Sequence, residues 1–106
     1  MDEKHERIKE KLAEIEAEMR RVGLWQEQPL PPEAYDYTLA FARDTMAFHQ
    51  WLQFVFIPQV MEMVENYAEL PKKSEVAITA SQAFAGWEKG DRLVELLRQF
   101  DELLAQ

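Results

Sequence analysis

The stretch Asp44-Thr45-Met46-Ala47-Phe48-His49-Gln50-Trp51-Leu52-Gln53-Phe54-Val55-Phe56-Ile57-Pro58 decides how this chain folds. Asp44 and Thr45 carry short oxygen-bearing side chains of the kind that accept the first free amide hydrogens of a helix, and no turn signal follows until Pro58. The pattern predicts a helix from Asp44 to Tyr67. Nine of the 12 residues from Met46 to Ile57 are apolar, more than one face of a surface helix needs, so this is the helix against which the others pack.

Pro58 interrupts it. A proline has no N–H to give the carbonyl four residues back, here Phe54, and crowds it, so the axis is expected to kink or restart. The polar residues also change sides. At about 100° per residue, His49, Gln50 and Gln53 fall within about 100° of one another. Gln59, Glu62, Glu65 and Asn66 fall opposite, and a straight helix would align Gln50 and Gln53 with Val60 and Val64. Either the second half is rotated at Pro58 so that each polar face finds water, or the first half is buried all round. In one reading Gln50 and Gln53 lie at the surface or in satisfied hydrogen bonds. In the other, they line a partner or ligand groove with His49 and Trp51. Asp44, His49, Gln50, Trp51, Gln53 and Pro58 are therefore the candidate partner or ligand surface.

Upstream, Ile8, Leu12, Ile15, Met19 and Val22 recur every three or four residues among Glu, Lys and Arg, which gives an amphipathic first helix stopped at Gly23. Glu3 to Arg7 and Glu16 to Arg20 are favourable pairs four apart. Between Trp25 and Arg43 the prolines Pro29, Pro31 and Pro32 and the aromatics Trp25, Tyr35, Tyr37 and Phe41 mark an ordered crossover, with one helical turn opened by Pro32 through Ala34 and Tyr35. Downstream, Ser74 or Thr79 is a candidate cap for a short third helix through Ala83 and Phe84. Gly86 and Gly90 bracket a turn, and Leu93, Leu96, Leu97, Phe100, Leu103 and Leu104 give the last helix, from about Asp91, one broad apolar face. The expectation is an all-α fold, a four-helix antiparallel bundle in a single domain over residues 1–106, with a long crossover between helices 1 and 2 and a proline kink in helix 2.

Composition narrows the function classes. There are 20 acidic residues against 12 basic ones and a net charge of −8, a field that repels nucleic-acid phosphates and anionic lipid and favours basic partners. The basic residues form no stripe, so direct nucleic-acid binding is not expected. The lack of cysteine excludes disulfides and thiolate chemistry. A charged N-terminus and the absence of an apolar run of about 18 residues argue against export or membrane insertion, leaving the cytoplasm as the expected compartment.

Of the two histidines, His5 and His49, neither has a second histidine at metal-binding spacing, and Asp44 and His49 are about 140° apart on a helix, so neither a metal site nor an acid-base dyad is expected. No nucleophile turn or phosphate-cradling glycine loop is present, no cofactor is implied, and an enzyme is not expected. Met46, Met61 and Met63, with the aromatics Phe48, Trp51, Phe54 and Phe56, read as core filler, and any left exposed would form a patch for a partner or for self-association.

Asp44-Thr45-Met46, Trp51-Leu52-Gln53, Ile57-Pro58 and Leu70-Pro71 resemble the YqcC-like family of small bacterial proteins, and the order of the flanking helices extends the resemblance over most of the chain. The resemblance implies a four-helix bundle of uncharacterised function, often encoded beside tRNA pseudouridine synthase C, with no established active-site residues. With the charge argument it makes the expected function that of a cytosolic accessory or interaction protein for a protein partner, the synthase being the candidate. The alternative is a small-ligand-binding bundle using a groove at the aromatic and glutamine segment.

Overall fold

A computed structural model describes residues 3–106; Met1 and Asp2 of the charged N-terminus lie outside them. Helix α1, Glu3–Arg21, buries Ile8, Leu12, Ile15 and Met19, the predicted seam. It stops where Gly23 takes a φ of 80°, a left-handed conformation that spares a side chain, and Leu24 N–H closes on Met19 O at 2.8 Å. Both predicted pairs form, Arg7 to Glu3 at 2.7 Å and Arg20 to Glu16 at 3.0 Å, and exposure keeps each small in energy.

The central helix, α2, covers residues 48–65 in three pieces: an α turn Phe48–Trp51, a π segment Leu52–Phe56 and an α segment Ile57–Glu65. Ile57 N–H reaches five residues back to Leu52 O, and Pro58 follows in the first turn of the restarted α segment. A π turn takes up one residue more than an α turn, which sets everything beyond it back by about 100°. That set-back brings Gln59, Glu62, Glu65 and Asn66 onto the side held by Gln50 and Gln53 and carries Val64 into the core with Leu52, Phe56 and Ile57. The rotation expected at Pro58 is thus made by the π segment ahead of it.

The expected helix start is wrong. Helix α2 begins at Phe48, and the amide of Ala47 is met by Gln50 Oε1 at 2.9 Å. Asp44 caps no helix: its carboxylate accepts from Thr38 N at 2.9 Å, Thr38 Oγ1 at 3.0 Å and Leu39 N at 3.3 Å. Thr45 Oγ1 donates to Ala34 O at 2.6 Å. Both side chains are drawn back to the crossover, where unpaired backbone groups lie nearer than those of the helix.

Helix α3, Val76–Ala83, lacks the predicted local cap as well, since Glu75 sits at its N-cap and Thr79 is inside it. The cap comes from a distant residue, Asp101, which accepts from Ala77 N at 3.0 Å and from Ser74 Oγ. Helix α4, Asp91–Ala105, starts where expected and buries Leu93, Leu96, Leu97, Phe100 and Leu104, with Leu103 half-buried. A 3-10 turn, Glu88–Gly90, precedes it, and a Cβ on Gly90 would meet Phe84 Cβ and the Trp87 ring at 3.0 Å.

The helices run antiparallel. Lys4 Nζ donates to Leu104 O and Gln106 O at 2.8 Å and Lys11 Nζ to Gln99 Oε1 at 2.6 Å, which sets the start of α1 beside the end of α4. His5 Nε2 lies 2.7 Å from Ala68 O, so the end of α2 is at the same pole. The described residues are all helical or irregular, with no strand, and the fold is four-helical as expected.

The crossover is ordered. Pro32–Tyr35 forms the predicted turn as a 3-10 helix, and a second follows at Ala40–Ala42. Its Ala34, Ala42 and Met46 pack with Val55 of α2 into a small apolar cluster, and Trp51 joins that cluster to the main core. Trp25 lies under the Arg20 guanidinium, 4.8 Å from its ring centre.

Candidate functional site

The six residues singled out in the sequence do not converge. Asp44 is exposed at the Thr38 turn, and the hydrogen bonds it receives, from Thr38 N first, hold its carboxyl below the usual range. His49 is half-buried, and desolvation pushes its pKa below the ordinary imidazole value. Trp51 is a packing residue, its ring centre 4.9 Å from that of Phe41, 5.7 Å from Phe48 and 5.3 Å from Phe56. Pro58 is exposed.

The two glutamines share one partner. Gln53, 7% exposed, accepts from Gln26 N at 3.0 Å and donates to Gln26 O at 2.8 Å. Gln50 Nε2 donates to Gln26 Oε1 at 3.1 Å. The crossover would otherwise leave the N–H and C=O of half-buried Gln26 without a partner, and the side-chain amide of Gln53 supplies the matching acceptor and donor. The polar stripe of α2 is therefore continuous: the crossover covers its upper end through Gln26, and water covers its lower end at Gln59, Glu62, Glu65 and Asn66.

A mostly apolar concavity lies on another side. A hollow of about 300 Å³, open to solvent, is walled by Val60 and Met63 of α2, Leu70 and Pro71 of the following loop, and Phe41 of the crossover, with Phe56, Phe100 and Leu104 beneath. Gln59, Lys73 and Glu75 stand at its rim. Two shallower hollows continue it past Met63, one lined by Glu62 and Asn66 and the other by Glu69, Pro71 and Lys72. On the far side of Phe41 a further hollow of about 280 Å³ is lined by Phe48, Thr79 and Gln82.

Phe41 therefore stands between two hollows. Its φ of 58° and that of Ala42, 51°, are left-handed values that L residues rarely hold, and each costs on the order of 1 kcal/mol or more. The neighbours that fix the strain are the rings of Trp51 and Phe48, the latter with its centre 6.2 Å away. The position of Phe41 between the two hollows was not readable from the sequence. By type Met63 reads as core filler, and Leu70-Pro71 as the end of the central helix and part of the family resemblance. Among the described residues no group of histidines and carboxylates is placed to hold a metal ion, and no helix is long and apolar enough to cross a membrane.

Residues 7–103 match the model of the DUF446 family, described as tRNA pseudouridine synthase C. An uncharacterized protein of Haemophilus influenzae is 30% identical over 95 residues, 90% of this chain and 90% of that one. The tRNA pseudouridine synthase C of Pectobacterium carotovorum is 29% identical over 85 residues, which are 80% of this chain but 23% of its own length. The uncharacterized protein YqcC of Escherichia coli is 32% identical over 81 residues, 76% of this chain and 74% of its own. Its solution NMR structure matches the fold with a TM-score of 0.88 at 28% identity, over 99% of this chain and 91% of that one. The chain belongs to the DUF446 family and is YqcC-like in sequence and in fold.

Proposed function

We propose that this member of the DUF446 family is a helical accessory protein that binds a tRNA pseudouridine synthase and contacts the enzyme rather than its RNA. One observation carries the reading: in the Pectobacterium relative, the counterpart of this chain fills 23% of a longer chain that bears the synthase name. A module carried on the enzyme's chain meets it at an effective concentration of about millimolar. The same module on a separate chain must supply that proximity by affinity. The charge of −8 supports a protein surface as the target, since phosphate contacts need an excess of lysine and arginine.

The test is titration calorimetry of this protein against the purified synthase of the same organism, at low and at moderate salt. Expected is a Kd at or below the micromolar range that weakens as salt rises, because an acidic surface meeting a basic one is screened. No association at either salt, with both proteins at tens of micromolar, as about −8 kcal/mol of binding would require, overturns it. A second reading, small-ligand binding, is favoured by the hollow beside Met63, whose 300 Å³ stands at the lower end for small-molecule sites. A saturable thermal shift with small apolar compounds, in a protein indifferent to the synthase, would replace the first reading by the second.

A further inference from the structure

The hollow on the far side of Phe41 carries charge of one sign. Thr79, Gln82 and Ala83, spaced three and four residues apart, turn one face of α3 toward it, and Phe41, Arg43 and Phe48 close the other sides. Among the described residues Arg43 is the one charged side chain of that lining, and it has no ion pair; those of the other arginines and of Lys11 lie within α1 and α4. The carboxylates nearest to it in the lining segments are turned elsewhere. Asp44, the next residue, accepts from Thr38 and Leu39, and Glu75, one turn before Thr79, stands at the rim of the other hollow. A guanidinium is thus left without a counter-ion beside two half-buried rings, Phe41 and Phe48, whose centres are 6.2 Å apart and whose planes are tilted by 55°. The left-handed backbone of Phe41 and Ala42 leads directly into Arg43, and strain of this kind collects where side chains are held for a ligand.

We propose that this hollow binds a small carboxylic acid bearing one aromatic ring, with the carboxylate on the Arg43 guanidinium and the ring against Phe41 and Phe48. The planar fork of a guanidinium matches the two oxygens of a carboxylate, and a charged pair of this kind is stronger than a neutral hydrogen bond. The tilt between the two phenyl rings leaves an edge and a face to meet a third ring. At about 280 Å³ the hollow falls just under the usual range of about 300–1,000 Å³ for small-molecule sites, so it takes one ring rather than several. A cationic ligand meets Arg43 as a like charge, and a neutral one forgoes the pair. The site holds whether or not the protein also binds a synthase.

The experiment is amide NMR titration of the isotope-labelled protein with phenylacetate, and separately with its neutral amide, with 2-phenylethylamine, and with a short peptide ending in phenylalanine. Expected are saturable shifts centred on Phe41, Arg43, Phe48, Thr79 and Gln82, with a Kd of about a millimolar or tighter for a ligand of this size. The amide should bind about tenfold more weakly and the amine should leave these resonances unmoved. Two variants at exposed positions separate the charge from the space: Arg43→Gln should weaken phenylacetate at least about tenfold, and Ala83→Phe, which fills the hollow, should abolish its shifts. No saturable response to phenylacetate, shifts centred elsewhere, an amide that binds as well as the acid, or an Arg43→Gln protein that binds unchanged would each overturn the assignment. A peptide that binds more tightly than phenylacetate would make the occupant the carboxyl terminus of a protein and overturn the small-molecule site.

Discussion

Replacing Gln53 by methionine isolates the contact that fastens the crossover to the central helix. Methionine matches the length and flexibility of glutamine and fills the same volume, so packing beneath Gln26 is kept while both hydrogen bonds, 3.0 and 2.8 Å, are lost. Because residue 53 is 7% exposed, water does not readily replace them. Leaving a fully buried donor or acceptor unpaired costs about 1–3 kcal/mol, and because Gln26 is itself half-buried, orphaning its N–H and C=O together should cost about 2–3 kcal/mol. Against a total stability of about 5–15 kcal/mol for a domain of this size that is a large fraction, about 10 °C or more in Tm. Two measurements check it: urea unfolding for the global value, and hydrogen exchange at amides 26–46 for the site of the loss. Gln53→Leu should behave alike. A methionine variant within about 0.5 kcal/mol of the natural protein, with exchange in the crossover unchanged, would show that the clamp does not hold the crossover.

Other expectations follow from the same geometry. Asp101→Ala removes the acceptor for Ala77 N and Ser74 Oγ and should destabilise by about 1–3 kcal/mol, with exchange rising first in α3. Gly90→Ala places a Cβ 3.0 Å from Phe84 Cβ, and since that atom moves only with its backbone, a loss of about 1–3 kcal/mol in urea unfolding is expected. Asp44 has its pKa lowered in the folded state, so its contribution is present above the unfolded carboxylate value and fades as pH falls through the folded one. The exchange of Thr38 and Leu39 amides should rise over that acidic window in the natural protein and be pH-flat in Asp44→Asn once intrinsic rates are divided out. Pro58→Ala restores an N–H able to reach Phe54 O, yet a return to continuous α register would swing Ile57 and Val64 out of the core by about 100°. The π register is therefore expected to persist, with stability within about 1 kcal/mol and core methyl NMR shifts little altered; wholesale movement of the α2 methyl resonances would refute it.

Much of the fold is written in local pattern. The seam of α1, its Gly23 stop, the turn at Pro32 and the start of α4 depend on periodicity and on residues with few backbone choices, so the sequence states them directly. The reversal of polarity around Pro58 was legible too, as a conflict that a straight helix does not resolve. How it is resolved was not legible: a π turn and a kink relieve the same pattern, and the choice rests on whether Leu52, Phe56, Ile57 and Val64 reach one core. The candidate site was the least legible part. Asp44 and Thr45 have the chemistry of caps, but a cap is satisfied by whichever unpaired amide is nearest in space, and the crossover brings Thr38 closer than the helix does.

By itself, then, the amino-acid order settled four helices, their amphipathic faces, a stiff aromatic crossover and an acidic surface, because each follows from neighbours within a turn or two. Only the tertiary structure decided the rest. It joined Gln53 to Gln26, Asp101 to α3 and Phe41 to the hollow beside Met63, contacts between residues distant in the chain, where shape and unpaired hydrogen-bonding groups choose the partner.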